Sequence, residues 1–271
     1  MTKKYKLGVI GSPIEHSLSP FIQSRFARQE NIYIDYRPFK VEPDDFEYFV
    51  KDFFADSSSK GLNVTLPLKS LAYNLKGTLS KEASQIQAVN TINKKDRKIY
   101  LDSTDGIGFV EDLNRRKILL ENKNVLIIGA GAAVESILFN IIQKKPKTIF
   151  LMNRTKSKAA KLIKKYEKSF GLNIFDDHEN LFDVIINGSS AGLTGEFKPP
   201  KLKVSNKPSF YDLNYSLTST PFCQWAKEKS EFVFDGTGML VNQAAYSFKI
   251  WFGIMPSIDK VLNDMNNLKN D

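Results

Sequence analysis

A lysine and an aspartate, Lys69 and Asp105, each end a strand-like segment at a point where a helix is expected to begin. Lys69 closes the run Asn-Val-Thr-Leu-Pro-Leu-Lys, and Asp105 is the second aspartate of Asp-Ser-Thr-Asp-Gly-Ile-Gly-Phe. A glycine-rich segment begins further along the chain, at Gly129. An ammonium group beside a carboxylate can protonate a developing alkoxide or stabilise its negative charge. Together these features predict a proton-handling pair that works beside a nicotinamide.

The glycine-rich segment, Gly-Ala-Gly-Ala-Ala, follows an apolar run and precedes a helical pattern of apolar residues, Val134, Ile137, Leu138, Ile141 and Ile142. Glycines in such a turn let the backbone approach a pyrophosphate, and the helix N-terminus supplies free N–H groups. Val134 stands where the usual fingerprint has its third glycine. We therefore predict a cofactor-binding turn made of Gly129, Ala130, Gly131, Ala132 and Ala133.

The residues that follow the next predicted strand, 148–152, distinguish the two nicotinamide cofactors. A protein that binds NAD places a carboxylate there for the ribose 2′-hydroxyl, whereas one that binds NADP places arginine for the 2′-phosphate. Here the strand is followed by Asn-Arg-Thr-Lys-Ser-Lys, which contains no carboxylate. An arginine can bind the phosphate through two N–H groups or stack on the adenine. The sequence predicts NADP, bound by Asn153, Arg154, Thr155 and Lys158.

Strand-like and helix-like segments alternate along most of the chain, which predicts an α/β protein with parallel strands. The exception is 89–101, where two strand-like runs flank a polar turn and predict an antiparallel hairpin at the edge of the first sheet. We predict two domains. Residues 1–104 plus 240–271 would form a substrate-binding domain with a mostly parallel sheet, to which C-terminal helices return. Residues 105–239 would form a Rossmann-type NADP-binding domain.

Composition limits the classes of function that the chain can have. Of its 271 residues 42% are hydrophobic, and 39 basic against 30 acidic residues give a net charge of +9. The basic residues are scattered in short groups, which argues against nucleic-acid binding and favours small anionic partners. The longest apolar region is too polar for a membrane span. The lysine-rich start precedes only a short apolar stretch, which predicts a strand instead of a signal peptide, so we expect a cytoplasmic protein.

Disulfide and metal chemistry are also unexpected in this chain. Cys223 is the single cysteine, so an intrachain disulfide and a cysteine-based zinc site are both excluded. The two histidines, His16 and His178, lack metal-ligand spacing with other candidates. We interpret His16 as structural and His178 as a surface residue, and we expect no metal.

Several motifs in the chain resemble, in order, those of the shikimate dehydrogenase family. They are Pro-Ile-Glu-His-Ser-Leu-Ser-Pro, the lysine motif that ends at Lys69, Ala-Val-Asn-Thr, Asp-Gly-Ile-Gly-Phe, Asn-Arg-Thr and Asp-Gly-Thr-Gly-Met-Leu-Val-Asn-Gln-Ala. The resemblance runs along nearly the whole chain. It implies reduction of 3-dehydroshikimate to shikimate with NADPH, a step of aromatic amino-acid biosynthesis.

The same resemblance assigns roles to residues of this sequence. Lys69 and Asp105 would be catalytic and would contact substrate. The other substrate-binding residues implied are Ser17 and Ser19 for the carboxylate, Thr65, Asn90 and Gln243 for the hydroxyls, and Tyr215 near the carboxylate. Leu213 and Gly236 would contact the cofactor. A site made of such hydrogen-bonding groups discriminates strongly against analogues that lack a hydroxyl.

Some positions depart from the family pattern. Ser103 precedes Thr104 where asparagine is usual, Ala132 replaces a third clustered glycine, Gln23-Ser24 replaces His-Asn, and Gly188-Ser189-Ser190 stands where the family has a Thr-Ser pair. None of these changes removes a catalytic group. Ala132 adds a methyl group near the expected pyrophosphate.

Two alternatives to this function stay open. A quinate/shikimate dehydrogenase that uses NAD is disfavoured by Ser19, where quinate-favouring relatives often have threonine, and by Arg154. A non-catalytic nucleotide-binding relative is disfavoured because Lys69 and Asp105 are both present. The sequence leaves open whether the protein is a monomer or a homodimer, and whether Lys69 donates the proton or only stabilises charge.

Overall fold

The computed structural model describes residues 3–176, 180–191 and 197–270. His178 lies outside the described residues. The chain forms two compact units, Met1–Gly108 with Val241–Asp264, and Phe109–Leu240 with Met265–Asp271. The predicted domains divide at 104, whereas the structure divides at Gly108. Gly108 packs closely against Gln243 of the same unit, since a Cβ on Gly108 would lie 2.6 Å from the backbone nitrogen of Gln243. Residues 265–271 group with the second unit, whereas the prediction placed them in the first.

The first unit contains a six-stranded sheet. Its strands are β1 Lys4–Gly11, β2 Tyr33–Lys40, β3 Ser59–Val64, β4 Thr78–Leu79, β5 Thr91–Lys95 and β6 Lys98–Asp102, in the order β2-β1-β3-β5-β6-β4. β1 is parallel to β2 and β3, and β5 is antiparallel to both β3 and β6. The predicted hairpin therefore forms. Its predicted place at the edge is wrong, because β4 pairs in parallel with β6 and lies outside it.

The second unit contains another six-stranded sheet, and its pairings are all parallel. The strands are β7 Asn124–Ile128, β8 Thr148–Met152, β9 Leu172–Ile174, β10 Leu181–Asn187, β11 Lys203–Asp212 and β12 Phe232–Phe234, in the order β12-β11-β10-β7-β8-β9. The chain moves outward from β7 to one side, and then from β10 to the other. Loops after β7 and β10 thus meet at the point where a doubly wound sheet binds its ligand.

Ten α-helices connect and cover these strands in the described part of the chain. They are α1 Ser19–Gln29, α2 Phe46–Ala55, α3 Lys69–Tyr73, α4 Lys81–Ile86, α5 Asp105–Arg115, α6 Ala132–Gln143, α7 Lys156–Tyr166, α8 Pro221–Lys227, α9 Thr237–Phe252 and α10 Ile258–Asn270. The predicted α/β class with two mostly parallel sheets is confirmed. None of the helices formed by the described residues has the length and apolar character that crossing a membrane requires.

The cores explain why these elements pack as they do. On α6 the predicted apolar stripe is buried, with Val134, Ile137 and Leu138 fully inaccessible to solvent. These side chains pack in one cluster with Val125 and Ile127 of β7, which holds the start of α6 against the end of that strand. In the first unit β1 has buried residues on both of its faces, as expected for an interior parallel strand.

Candidate active site

The antiparallel direction of β5 brings the candidate residues of the first unit together at one end of the strands of its sheet. Because β5 runs opposite to β3, residues just before β5 lie beside residues just after β3. Two backbone bonds show this register: Val64 N–H donates to Asn90 O at 2.8 Å, and Asn90 N–H donates to Asp102 O at 3.0 Å. Lys69 begins α3 after β3, and Asp105 begins α5 after β6, so both residues lie at that same end of the strands.

Lys69 and Asp105 form an ion pair in which Nζ is 2.6 Å from Oδ2. The Lys69 side chain is 16% exposed and that of Asp105 is 8% exposed. Solvent and salt screen such a pair much less than they screen a surface pair. The ion pair therefore keeps the lysine head group in one place.

Asn90 orients the carboxylate of this pair from the other side. Its Nδ2 donates to Asp105 Oδ1 at 2.9 Å and to Thr104 Oγ1 at 2.9 Å, and it is 3.4 Å from Gln243 Oε1. Its Oδ1 accepts from the backbone N–H of Thr104 at 2.8 Å and from the Thr91 hydroxyl at 2.8 Å. The structure thus brings Lys69, Asn90, Asp105 and Gln243 into one cluster.

Ser17 and Thr65 lie in the loops that follow β1 and β3, and Ser19 begins the helix that comes after the first of these loops. The Ser17 hydroxyl accepts from the backbone N–H of Ser19 at 3.3 Å, and Ser19 is the first residue of α1. Thr65 N–H donates to Ile10 O at 2.9 Å, which fixes the loop after β3 against β1. All three residues are partly or largely buried and carry hydroxyl groups that can bind a carboxylate or a ring hydroxyl.

Five residues to which the sequence gives no role join this cluster into a network, namely Tyr36, Asn63, Thr91, Thr104 and Ser247. Tyr36 OH donates to Asn63 Oδ1 at 2.8 Å, and Asn63 Nδ2 is 3.0 Å from Ser247 Oγ. Burial raises the pKa of the Tyr36 phenol well above its ordinary value, against a smaller opposing effect of its hydrogen bond with Ser19. The phenol therefore stays protonated. Ser247 could have been identified from the sequence, because it lies one helical turn after Gln243 on α9.

In the second unit, the turn after β7 has the geometry that a phosphate-binding turn requires. Gly129 has a φ of +112°, and a Cβ there would lie 2.8 Å from the backbone of Gly188, at the end of β10. Gly131 faces open space, since a Cβ added to it meets nothing within 4 Å. α6 begins at Ala132, so the first N–H groups of this helix lack intrahelical acceptors. These residues fit a dinucleotide pyrophosphate.

The residues after β8 form an exposed, positively charged turn. Asn153 Nδ2 donates to Thr155 O at 2.8 Å, which shapes the turn before α7 begins at Lys156. Arg154, Thr155 and Lys158 are exposed. The guanidinium, ammonium and hydroxyl groups can therefore reach a phosphate, and this short segment offers no carboxylate that would repel one.

Leu213, Tyr215 and Gly236 lie in the second unit, in loops that follow β11 and β12. A Cβ on Gly236 would lie 2.3 Å from Leu213 O, so these two loops are in direct contact. Burial raises the pKa of the Tyr215 phenol. The buried carboxylate of Asp212 fixes the loop by accepting from Asn187 Nδ2 at 2.9 Å, Asn214 N–H at 3.0 Å and Thr220 Oγ1 at 2.7 Å.

Comparison with known protein families assigns most of the chain. Residues 9–92 match the shikimate dehydrogenase substrate binding domain, 112–194 match shikimate / quinate 5-dehydrogenase, and 236–263 match the shikimate 5'-dehydrogenase C-terminal domain. A curated relative from Vesicomyosocius okutanii subsp. Calyptogena okutanii (strain HA), named shikimate dehydrogenase (NADP(+)), is 40% identical over 268 residues, which cover 96% of this chain and 99% of the relative.

The chain belongs to the shikimate dehydrogenase family. This confirms the prediction of an oxidoreductase of that family.

Solved structures of the shikimate dehydrogenase family share the fold of the whole chain. A shikimate dehydrogenase solved in complex with NADP+ has a TM-score of 0.88 and 30% identity, covering 100% of this chain and 97% of its own. The shikimate 5-dehydrogenase from Listeria monocytogenes, solved in complex with shikimate and NAD, has a TM-score of 0.87 and 26% identity. The match covers 97% of this chain and 96% of the Listeria chain. The prediction of a Rossmann-type unit agrees with these structures.

Two departures from the shikimate dehydrogenase pattern lie at buried positions. Ser103 donates from its backbone N–H to Asp102 Oδ1 at 2.7 Å, and Gln23 donates from Nε2 to Ala244 O at 3.0 Å. The hydroxyl oxygen of Ser103 and the Oε1 of Gln23 have no hydrogen-bond partner among the described residues. Among the residues that the structure describes, no group of three or more His, Cys, Asp or Glu side chains could hold a metal ion.

Proposed function

We propose that this chain catalyses the reversible, NADP-dependent interconversion of 3-dehydroshikimate and shikimate, within aromatic amino-acid biosynthesis. The observation that carries the proposal is the partly buried ion pair of Lys69 and Asp105, with Nζ 2.6 Å from Oδ2 and with Asn90 on the other carboxylate oxygen. Membership of the shikimate dehydrogenase family and the name of the curated relative support it.

The polar groups of the first unit suit a small polyhydroxy carboxylate. In this proposal Ser17 and Ser19 bind the substrate carboxylate, and Thr65, Asn90 and Gln243 bind its hydroxyls. The resemblance to the family adds Tyr215 as a candidate group for the carboxylate. Buried hydrogen-bonding groups that lose a partner are costly, so an analogue without one hydroxyl would bind and react poorly.

Lys69 handles the proton of the reaction. NADPH, when bound, would supply the hydride that reduces the ketone carbon. As the carbonyl oxygen gains negative charge, the Lys69 ammonium donates a proton to it, and the resulting neutral amine recovers a proton from solvent. Asp105 accepts a hydrogen bond from the Lys69 nitrogen and keeps that nitrogen aimed at the reacting oxygen. In the direction of oxidation Lys69 accepts the proton, and the same geometry applies.

The second unit binds NADP in this proposal. The turn made of Gly129, Ala130, Gly131, Ala132 and Ala133 would hold the pyrophosphate. Asn153, Arg154, Thr155 and Lys158 would hold the 2′-phosphate. Leu213 and Gly236 would contact the rest of the cofactor. The exposed Arg154 and the lack of a carboxylate in this turn support NADP over NAD.

An assay with two substrates and two cofactors tests the proposal. Purified protein is mixed with shikimate or quinate, each with NADP+ or NAD+, and reduction of the cofactor is followed by its absorbance. We expect activity with shikimate and NADP+ and little with the other three combinations. Equal rates with quinate, or a preference for NAD+, would support the quinate/shikimate alternative. Inactivity in all four mixtures would favour a nucleotide-binding relative without catalysis.

We also propose that the protein works in the cytoplasm as a monomer or a homodimer. Support for a reducing compartment comes from Cys223, which is the single cysteine and is buried as a free thiol. Light scattering coupled to size-exclusion chromatography would give the mass of the particle against 30.8 kDa for one chain. A trimer or larger assembly would contradict this part of the proposal.

A further inference from the structure

We propose that Thr91 is a positioning residue for the reaction, because its hydroxyl holds the carboxamide of Asn90 in the orientation that presents Nδ2 to Asp105. The inference rests on the proposed function. Thr91 is the first residue of β5 and is fully buried, so its side chain acts through its neighbours in the unit. Thr91 belongs to none of the groups proposed above to contact substrate or cofactor.

The two ends of the Asn90 carboxamide face different partners. The oxygen faces donors, the Thr91 hydroxyl at 2.8 Å and the backbone N–H of Thr104 at 2.8 Å. The nitrogen faces an acceptor, Asp105 Oδ1, at 2.9 Å. If the carboxamide turned over, its oxygen would meet the carboxylate of Asp105 and its N–H groups would meet other donors. The contact with Thr91 therefore favours the orientation that stabilises the carboxylate.

The Thr91 hydroxyl has two further polar neighbours besides Asn90. Thr91 Oγ1 is 2.7 Å from Ser247 Oγ, and Asn63 Nδ2 donates to it at 3.3 Å. A hydroxyl has one proton to donate and can accept two. Ser247 Oγ also donates to Gln243 O at 3.1 Å, so the Ser247 proton has two acceptors within reach. In the arrangement in which Thr91 accepts from Asn63 and donates to Asn90, donors follow one another from Tyr36 through Asn63 and Thr91 to Asn90.

This series of hydrogen bonds orients groups and does not transfer protons. Its members Asn63 and Asn90 are carboxamides, which donate and accept hydrogen bonds but do not exchange protons along a chain at ordinary pH. Thr91 should therefore affect how well the Lys69 and Asp105 pair is aimed. Ground-state binding of substrate should depend on it much less, since an effect confined to the reacting geometry lowers kcat more than it raises KM.

Replacing Thr91 with valine and with serine separates the hydroxyl from the methyl group. Thr91→Val keeps the shape and removes the donor, and we expect kcat to fall about tenfold, the effect of one lost hydrogen bond expressed as a rate. The KM for shikimate should change by less than about threefold. Thr91→Ser keeps the donor, and it should retain most of the wild-type kcat. Thr91→Cys, with a weak donor, provides a further test if the valine variant does not fold.

A double variant tests whether Thr91 acts through Asn90. Adding Thr91→Val to an Asn90→Ala variant should lower kcat no further, because the group that Thr91 orients is already absent. An unchanged kcat in Thr91→Val, an equal loss in Thr91→Ser, or additive losses in the double variant would each overturn the inference. Wild-type turnover of shikimate with NADP+ is measured in the same series. If the wild type is inactive, the proposed function fails, whereas a failure of this inference leaves the wild type active.

Discussion

Lys69 Nζ lies 2.6 Å from Asp105 Oδ2, although 36 positions separate the two residues in the chain. We expect Lys69→Ala to lower kcat about a hundredfold or more, since general-acid catalysis contributes on that scale. KM for shikimate should change far less. Steady-state assays in both directions would measure these values.

Lys81→Ala is the matched control for the Lys69 variant. Lys81 is exposed on α4 in the same unit, so its replacement removes a charge without touching the network. We expect nearly normal turnover. A Lys69→Ala enzyme with normal kcat would contradict the role given to this lysine.

Arg154 is expected to set the cofactor preference. A hydrogen bond to a charged group is worth more than a neutral one, so Arg154→Ala should raise KM for NADP+ by about tenfold to a hundredfold. The weaker activity with NAD+ should stay nearly the same. Lys147→Ala is a suitable control, because Lys147 is exposed just before β8 whereas Arg154 follows the end of this strand. Equal effects on both cofactors would argue that Arg154 does not contact the 2′-phosphate.

Replacing two glycines of the turn after β7 should affect different properties, stability in one case and cofactor binding in the other. Gly129→Ala places a Cβ 2.8 Å from Gly188 at a φ of +112°, so we expect a loss of stability of about 1–3 kcal/mol. Gly131→Ala adds a methyl group in open space, and its unfolding temperature should hardly change. KM for NADP+ should rise in Gly131→Ala if the pyrophosphate approaches this backbone. Calorimetry and kinetics on both variants measure these effects, and a Gly131 variant with normal KM would count against the proposed turn.

The buried carboxylate of Asp112 should give stability a particular pH dependence. Burial raises its pKa above the ordinary 3.8, although the hydrogen bond from Tyr211 acts in the opposite direction. The folded chain therefore keeps this proton to a higher pH than the unfolded chain, and this group's contribution to stability falls as pH rises through that window. Asp112→Asn lacks this contribution.

Unfolding temperatures of wild type and Asp112→Asn, measured from about pH 4 upward, test this effect. As pH rises, the unfolding temperature of Asp112→Asn should increase relative to that of the wild type. Each kcal/mol of stability corresponds to roughly 2–4 °C in a protein of this size. The exposed Asp52→Asn provides the control and should follow the wild type. A constant difference across the pH range would contradict the prediction.

Cys223 should react slowly with thiol reagents in the folded protein. Burial raises the pKa of its thiol to about 11, and the residue is 4% exposed. The thiolate is the reactive form, so little of it is present near neutral pH. With a chromogenic disulfide reagent, we expect the native protein to release the coloured thiol slowly. In denaturant, one equivalent of coloured thiol per chain should be released quickly. Fast modification of native protein would show that the thiol is accessible.

Much of the fold follows from the period of its apolar residues. The stripe on α6 and the apolar run of β7 are long and regular, and they predict both elements where the structure has them. α7 is not predicted in the same way. Its buried residues are Ala159, Leu162 and Tyr166, which form a narrow apolar stripe on the helix. The many lysines of this segment make that stripe hard to recognise in the sequence.

The candidate site was predictable only where its residues belong to local motifs. Lys69 and Asp105 end short segments, and each can be found from its immediate neighbours. Ser247 contacts Asn63 across 184 positions of sequence, and nothing in the residues around Ser247 specifies that partner. Tyr36 likewise resembles an ordinary core residue until the fold places its hydroxyl beside Asn63.

The strands that border the two sheets are poor templates for strand exchange. A border strand presents unpaired N–H and C=O groups to other chains. Here β4 has two residues, β9 and β12 have three each, and the longer β2 contains Pro38 with the exposed Arg37 and Lys40. Short length, proline and charge all oppose edge-to-edge pairing, so concentrated solutions of the folded protein should resist fibril growth.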